Sequence, residues 1–167
     1  MAAEALEESD SREGSVRVVE FMLGSERFAV TVGDVDNIED IDEVTRIPRT
    51  GEAVEGVMDL RGEITAIINL RVYLDVDEPA TEEQQVLVLD HKKDKQKIGL
   101  RVDQIAGVET YPEGYVDDTN DVPELEIAGV EQQAIRAIIR RPNEESDFEP
   151  VGLIDVDEII QLSRQLH

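Results

Sequence analysis

Arg61 stands between two acids, Asp59 and Glu63, in the step Leu60-Arg61-Gly62-Glu63 that separates two apolar runs. A guanidinium so placed has two uses. It ties the turn together through the flanking acids, or it points outward, where its planar fork can grip a carboxylate or the carbonyls at a helix end. The other chemistry-bearing groups are less specific. Asp34, Asp36 and Asn37 open like a calcium loop, but the sixth position is Glu39 instead of Gly and the twelfth is Thr45 instead of Glu, so the pattern fails. Paired carboxylates occur throughout, yet 40 of the 167 residues are acidic, so pairing says almost nothing about acid–base catalysis. The chain has no cysteine, which excludes thiol nucleophiles, disulfides and Cys-ligated zinc. Its two histidines, His91 and His167, are far apart and leave little material for metal binding or His-based catalysis. There is no G-x-G-x-x-G, P-loop or G-x-S-x-G. No cofactor and no metal are expected.

The charge narrows the partners. Acidic residues outnumber the 16 basic ones, for a formal charge of −24. Such a body repels phosphate backbones and anionic lipid, so nucleic acid and direct membrane insertion are not expected. The acids alternate with Val, Ile and Leu, unlike the blocks of a disordered tail. This points to a folded protein adapted to a high-salt cytoplasm, as in a halophilic archaeon, because molar salt shortens the Debye length to ~3 Å and screens self-repulsion. All four lysines (Lys92, Lys93, Lys95, Lys97) lie in one stretch. They read as a solvated hairpin turn or as an electrostatic handle for an acidic partner. Residues 1–15 have neither a basic n-region nor an apolar h-region, and read as a mobile acidic tail on a cytoplasmic protein.

Around these residues the pattern is mostly period two. Strands are expected at Val16 to Leu23, Phe28 to Val32, Val44 to Ile47, Val57 to Leu60, Ile64 to Leu70, Val86 to Leu89, Ile98 to Val102, Ala134 to Ile139 and Val151 to Val156. Val35 and Ile38, three apart, fit a helical turn or a bent strand, and Glu52 to Glu55 could be one turn of helix. Asp117 to Glu126 and Pro142 to Pro150 read as acidic loops. A closing amphipathic helix places Ile159, Leu162 and Leu166 on one face.

The pattern also echoes itself. Phe28-Ala-Val-Thr-Val32, Val35 and Ile38 recur 70 residues on as Ile98-Gly-Leu-Arg-Val102, Ile105 and Val108. Gly56-Val57 recurs as Gly129-Val130, and Ala66-Ile-Ile-Asn-Leu70 as Gly152-Leu-Ile-Asp-Val156. Two copies of a β-rich unit imply two similar lobes.

The segment Val44 to Leu70, VTRIPRTGEAVEGVMDLRGEITAIINL, closely resembles the CheW family of chemotaxis coupling proteins. The likeness rests on the T-R-I-P strand, the G-V-x-D-L-R-G-x-I core and the following apolar strand. It extends to the Val35-x-x-Ile38 bend, to Ile98-Gly-Leu-Arg-Val-Asp103 and to Gly152-Leu-Ile-Asp-Val156, covering roughly residues 16–162. The resemblance implies a mainly β fold: two SH3-like five-stranded β-barrel lobes in a pseudo-repeat with a shared core, few short helices and a C-terminal helix. The lobes are interleaved or in tandem, with a division near 75–85 and a short C-terminal end at 163–167.

The resemblance also implies a function. The family is non-catalytic and links the cytoplasmic tip of chemoreceptors to the regulatory domain of a histidine kinase called CheA, at membrane receptor arrays. By position, Arg61 matches the arginine of the receptor groove, and Val35, Ile38 and Val86 match residues lining it. Taken alone, these apolar residues, like Val88, read equally well as core. Asn37 stands where the family often has Glu, Asp59 where it usually has Asn, and Ala66 where Pro is common. Kinase contact is placed at Ile41 and the Glu55-Gly56 turn. The alternative is a small carboxylate-dependent hydrolase with a site between the barrels.

Overall fold

The computed structural model describes residues 14–41, 44–46, 54–74, 76, 84–90, 97–118, 134–143 and 148–165. Eleven strands follow in order: β1 (Ser15–Leu23), β2 (Glu26–Thr31), β3 (Val35–Asp40), β4 (Val54–Leu60), β5 (Glu63–Asn69), β6 (Gln85–Leu89), β7 (Lys97–Val102), β8 (Gln104–Pro112), β9 (Val116–Asp118), β10 (Ile135–Pro142) and β11 (Phe148–Ile154). Helix α1 (Arg71–Leu74) follows β5, and α2 (Val156–Gln165) follows β11. Each begins beside an Asx side chain at matching echo positions. Asn69 Oδ1 accepts from the Arg71 N–H at 3.0 Å and Asp155 Oδ1 from the Glu158 N–H at 3.1 Å, supplying acceptors to helix-end donors.

The strands form two sheets. Sheet 1 has the order β9-β10-β11-β2-β1-β8, and sheet 2 the order β3-β6-β7-β5-β4. The echoed units therefore exchange hairpins. The β1–β2 hairpin of the first unit sits in sheet 1 with β8–β11 of the second, and the β6–β7 hairpin of the second sits in sheet 2 with β3–β5 of the first. A tandem division near 75–85 does not describe this arrangement, since β6 and β7 complete the sheet begun by β3, β4 and β5. The two junctions between the units are reciprocal. Phe28 pairs with Gly152 where β2 runs parallel to β11, and its counterpart Ile98 pairs with Ala66 where β7 runs parallel to β5.

Both sheets bend toward closure. In sheet 1 the outer strands β8 and β9 are halves of one segment, joined by the 3-10 turn Glu113–Tyr115, so this lobe has six strands where five are expected. In sheet 2, Thr45 follows β3 and exchanges both backbone hydrogen bonds with Val57 of β4, each 2.8 Å.

Because several strands are packed on two sides, they read as unbroken apolar runs. Val19, Phe21, Phe28 and Val30 of sheet 1 join Ile68, Leu87, Leu100 and Val102 of sheet 2 in a shared core that also takes Ile159 and Ile160 of α2. Alternate residues turn into each lobe's own interior: Val18, Ala29, Ile139 and Leu153 in sheet 1, and Met58, Ile67, Val86 and Val88 in sheet 2. On β1 the residue two past Val18 is Glu20, which is fully buried. Its carboxylate takes Arg27 Nη1 at 3.0 Å, Arg141 Nη1 at 3.1 Å and the Tyr111 hydroxyl, so the buried charge is paired.

Several local expectations change. Ser15 already pairs with Pro112 in β1, so the terminal segment ends sooner; residues 1–13 lie outside the described residues. Val54 and Glu55 open β4 and are not helical. Val35 and Ile38 lie on a bulged strand after the 3-10 turn Val32–Asp34. Pro142 and Phe148 to Pro150 are paired strand, where a loop was expected, and the strand expected to end at Ile139 runs on through Arg140 and Arg141. Asp117 and Asp118 are in β9. Helix α2 continues past 162 to Gln165, and Leu166 and His167 lie outside the described residues. Gly129-Val130 also lies outside them. Since Ile138 pairs with Gly152 as Val57 pairs with Ala66, the counterpart of β4 is β10.

Candidate functional site

The turn between β4 and β5 holds Arg61 in an unusual conformation. Asp59 pairs with Ile64 and Leu60 with Glu63, leaving a two-residue loop. Arg61 has φ +56° and Gly62 φ +86°. Positive φ at both central residues is the type I′ pattern, whose twist suits a hairpin and which favours Asn-Gly. Asp59 Oδ1 accepts from the Gly62 N–H at 2.9 Å and so braces the turn itself. Arg61 does not tie the turn through its flanking acids. Its side chain is 77% exposed, and its Nε reaches across the sheet to Glu39 Oε2 at 2.8 Å.

Glu39 takes two donors, Arg61 and Asn37 Nδ2. Positions 37 and 39 are two apart on β3 and share a face. Asn37, which stands where the resemblance expects Glu, thus has the carboxylate of Glu39 beside it. Period two was the signal that could have found it, since a partner lost at one strand position is recoverable two residues away.

These groups border a concavity of about 320 Å³ lined by Asp36, Asn37, Glu39, Leu60, Arg61, Glu63, Thr65, Val88 and Lys97. Lys97 closes its other side by donating to Asp36 at 2.8 Å. That hydrogen bond, outweighing partial burial, raises the lysine's pKa. The site thus presents two cations, each already engaged by an acid, above a nearly buried Val88. Of the three carboxylates that line this concavity, Glu39 and Asp36 each face a cation.

The remaining expected residues divide. Ile38 lies beside the site and is 38% exposed, but strand alternation turns it away from the face of Asn37 and Glu39. Val35, at the root of β3, packs against the shared core. Val86 does not line a groove: it is fully buried in the sheet 2 interior against Met58, Ile67 and Val88, where a strand valine beside a tightly packed glycine belongs. At the opposite end of β4, Glu55 is the bulge residue and pairs with Arg101. Gly56 is a buried strand position with no turn; a Cβ there would lie 2.1 Å from the Thr45 carbonyl oxygen, so its surface is already covered by backbone. Ile41 is partly buried, and its N–H donates to Gln84 O at 3.2 Å. Arg101 Nε in turn donates to Gln84 Oε1, so Ile41 and Glu55 share one polar chain. Lys92, Lys93, Lys95 and His91 lie outside the described residues.

A family model described as CheW-like domain matches residues 17–164. "Chemotaxis protein CheW" of Bacillus subtilis (strain 168) is 28% identical over 113 residues, covering 62% of this chain and 71% of that protein. The protein of the same name in Treponema pallidum (strain Nichols) is 29% identical over 129 residues, covering 75% and 73%. Among solved structures, the scaffolding protein TtCheW from Thermoanaerobacter tengcongensis superimposes with a TM-score of 0.69 at 21% identity, covering 84% of this chain and 88% of that one. That likeness is one of fold.

Proposed function

The chain belongs to the CheW-like domain family, and from that premise we propose that it is a non-catalytic coupling adaptor of chemotaxis, joining the cytoplasmic tip of chemoreceptors to the regulatory domain of a CheA-type histidine kinase at membrane receptor arrays. The observation that carries this reading is the family match across 17–164, nearly all of the described fold. The Arg61–Glu39–Asn37 site supports it; exposed Ile38, on the opposite face of β3, is an apolar contact outside the concavity. A receptor tip is helical, and a helix face docks through an apolar anchor and a few exchanged ion pairs. Arg61 is the residue that grips the tip, and Asn37 and Val35 hold the strand that carries its partner. No helix among the described residues is long and apolar enough to cross a membrane.

Kinase contact is placed at the other end of β4, around Ile41 and Glu55. Leu60 is five residues from Glu55, roughly 17 Å along a strand, so Glu55 leaves room for both partners, while Ile41, two residues past Glu39, lies nearer the receptor contact. The test is co-purification at high salt. Recovery of both a chemoreceptor and a CheA-type kinase is expected; recovery of neither overturns the proposal. Titrating kinase into an adaptor–receptor complex then tests the geometry, since stoichiometric displacement of receptor would mean one shared site.

A further inference from the structure

We propose that Asp103 and Arg71 form the directional pin that fixes the angle between the two sheets. The strands pass from one sheet to the other at two described junctions, β2 to β3 and β7 to β8. The second junction is Asp103 alone, 3% exposed. Its Oδ1 accepts from Arg71 Nη1 at 2.9 Å, and its Oδ2 accepts from Arg71 Nη2 at 2.8 Å and from the Gly24 N–H at 2.7 Å. Its own N–H donates to Met22 O at 3.0 Å. One residue therefore holds the β1–β2 turn of sheet 1 and the start of α1, which follows β5 of sheet 2. Burial pushes the Asp103 carboxyl up, but the Arg71 and Gly24 donors outweigh it and the net shift is downward.

The first junction is built differently. There Asp34 accepts from the Thr31 hydroxyl at 2.6 Å, three residues back, and its carbonyl accepts from the Asp90 N–H at 2.9 Å. Neither bond is a fork. The core between the sheets is aliphatic and aromatic, and such contact is non-directional. It keeps the sheets together without fixing their twist. A bidentate guanidinium–carboxylate pair fixes orientation as well as distance. The Asp103 junction is thus the rigid one. The Val32–Asp34 junction, which leads into the strand bearing Asn37 and Glu39, is the compliant one.

The test uses the whole chain, which has no native cysteine to interfere. Spin labels at Asp40→Cys in sheet 2 and Thr110→Cys in sheet 1, both exposed positions, report the distance between sheets. Asp103→Asn and the milder Arg71→Lys are expected to broaden and shift that distribution; an unchanged distribution in the folded variants overturns the pin. Should Asp103→Asn fail to melt cooperatively, Arg71→Lys decides. Amide exchange of the unmutated chain gives an independent reading. The Gly24 and Asp103 amides should exchange only on global opening and the Asp34 and Val35 amides by local opening; equal protection overturns the asymmetry.

Discussion

Phe28 occupies the space that a side chain at Gly152 would need. The two residues pair where β2 runs parallel to β11, and a Cβ at 152 would lie 2.9 Å from Phe28 Cδ1 and 3.1 Å from Ile135 Cδ1. The ring is itself held by Phe21, with centroids 6.2 Å apart. At the reciprocal junction the smaller Ile98 faces Ala66, and a methyl is accommodated. The two halves of the repeat thus reach one backbone geometry with different divisions of side-chain volume.

Gly152→Ala is accordingly expected to destabilise the fold by about 1–3 kcal/mol, the range for overpacking a close-packed core. That is a fall of several degrees in melting temperature for a chain of this size. The double variant Gly152→Ala/Phe28→Ile, which transplants the Ala66–Ile98 pair, should be more stable than the sum of its single effects. Thermal melts of the three variants check this. Strict additivity would mean that the ring and the new methyl do not meet.

The echo was legible because both copies bury the same faces, so Phe28 to Val32 and Ile98 to Val102 carry the same alternation. It could not reveal that the hairpins change sheets. A self-contained unit and an exchanged one place Val19, Phe21 and Leu100 equally well in apolar surroundings, and pairing partners leave no local mark. The β8 strand was hidden for a related reason: as an edge strand with Ala106, Gly107 and Thr110 it shows little apolar alternation. At the site, Arg61 stood out by type and place. Val86 resembled a groove residue only because burial is not written in a valine. Glu39 was lost among many acids, where no single carboxylate announces a partner.

Arg61 sits at a backbone position that favours Asn or Gly, and its side chain is mostly solvated. Its pair with Glu39 is therefore worth little to stability, at most ~0–1 kcal/mol and toward the lower end given its exposure. Arg61→Asn is expected to hold or raise the melting temperature, by relieving the left-handed φ, while receptor-tip binding weakens roughly tenfold or more, the loss of an interface hot spot of ~2 kcal/mol. Melting and binding measured on the same variant separate the two roles. A lower melting temperature with normal binding would assign Arg61 to the fold.

Tyr111 gives a pH signature. Burial, and then its hydrogen bond to the Glu20 carboxylate, push its pKa up to about 12. An unfolded tyrosine titrates near ~10. The folded state therefore holds the proton more tightly, and the stability this contributes is complete below pH ~10 and lost as pH rises toward about 12. Lys97, raised by Asp36, acts in the same direction, so the informative quantity is a difference. Denaturant melts of the unmutated chain and Tyr111→Phe should converge as pH rises through this window. Parallel curves would show that the hydroxyl is not coupled to folding.

The net charge of −24 predicts how the protein responds to salt. Buried pairs such as Arg71–Asp103 are shielded from solvent and change little with ionic strength, and exposed ones such as Lys97–Asp36 weaken somewhat. Against these small losses stands the mutual repulsion of an acidic surface, which screening removes. Melting temperature should therefore climb as KCl is raised from about 0.1 M to about 3 M, with most of the rise below ~1 M, where the Debye length falls to ~3 Å and drops inside the spacing of neighbouring acids. That curvature distinguishes screening from solute exclusion, which continues to grow with concentration. A flat profile would mean that the acidic surface is not a salt adaptation, and the partners could then be sought in dilute buffer.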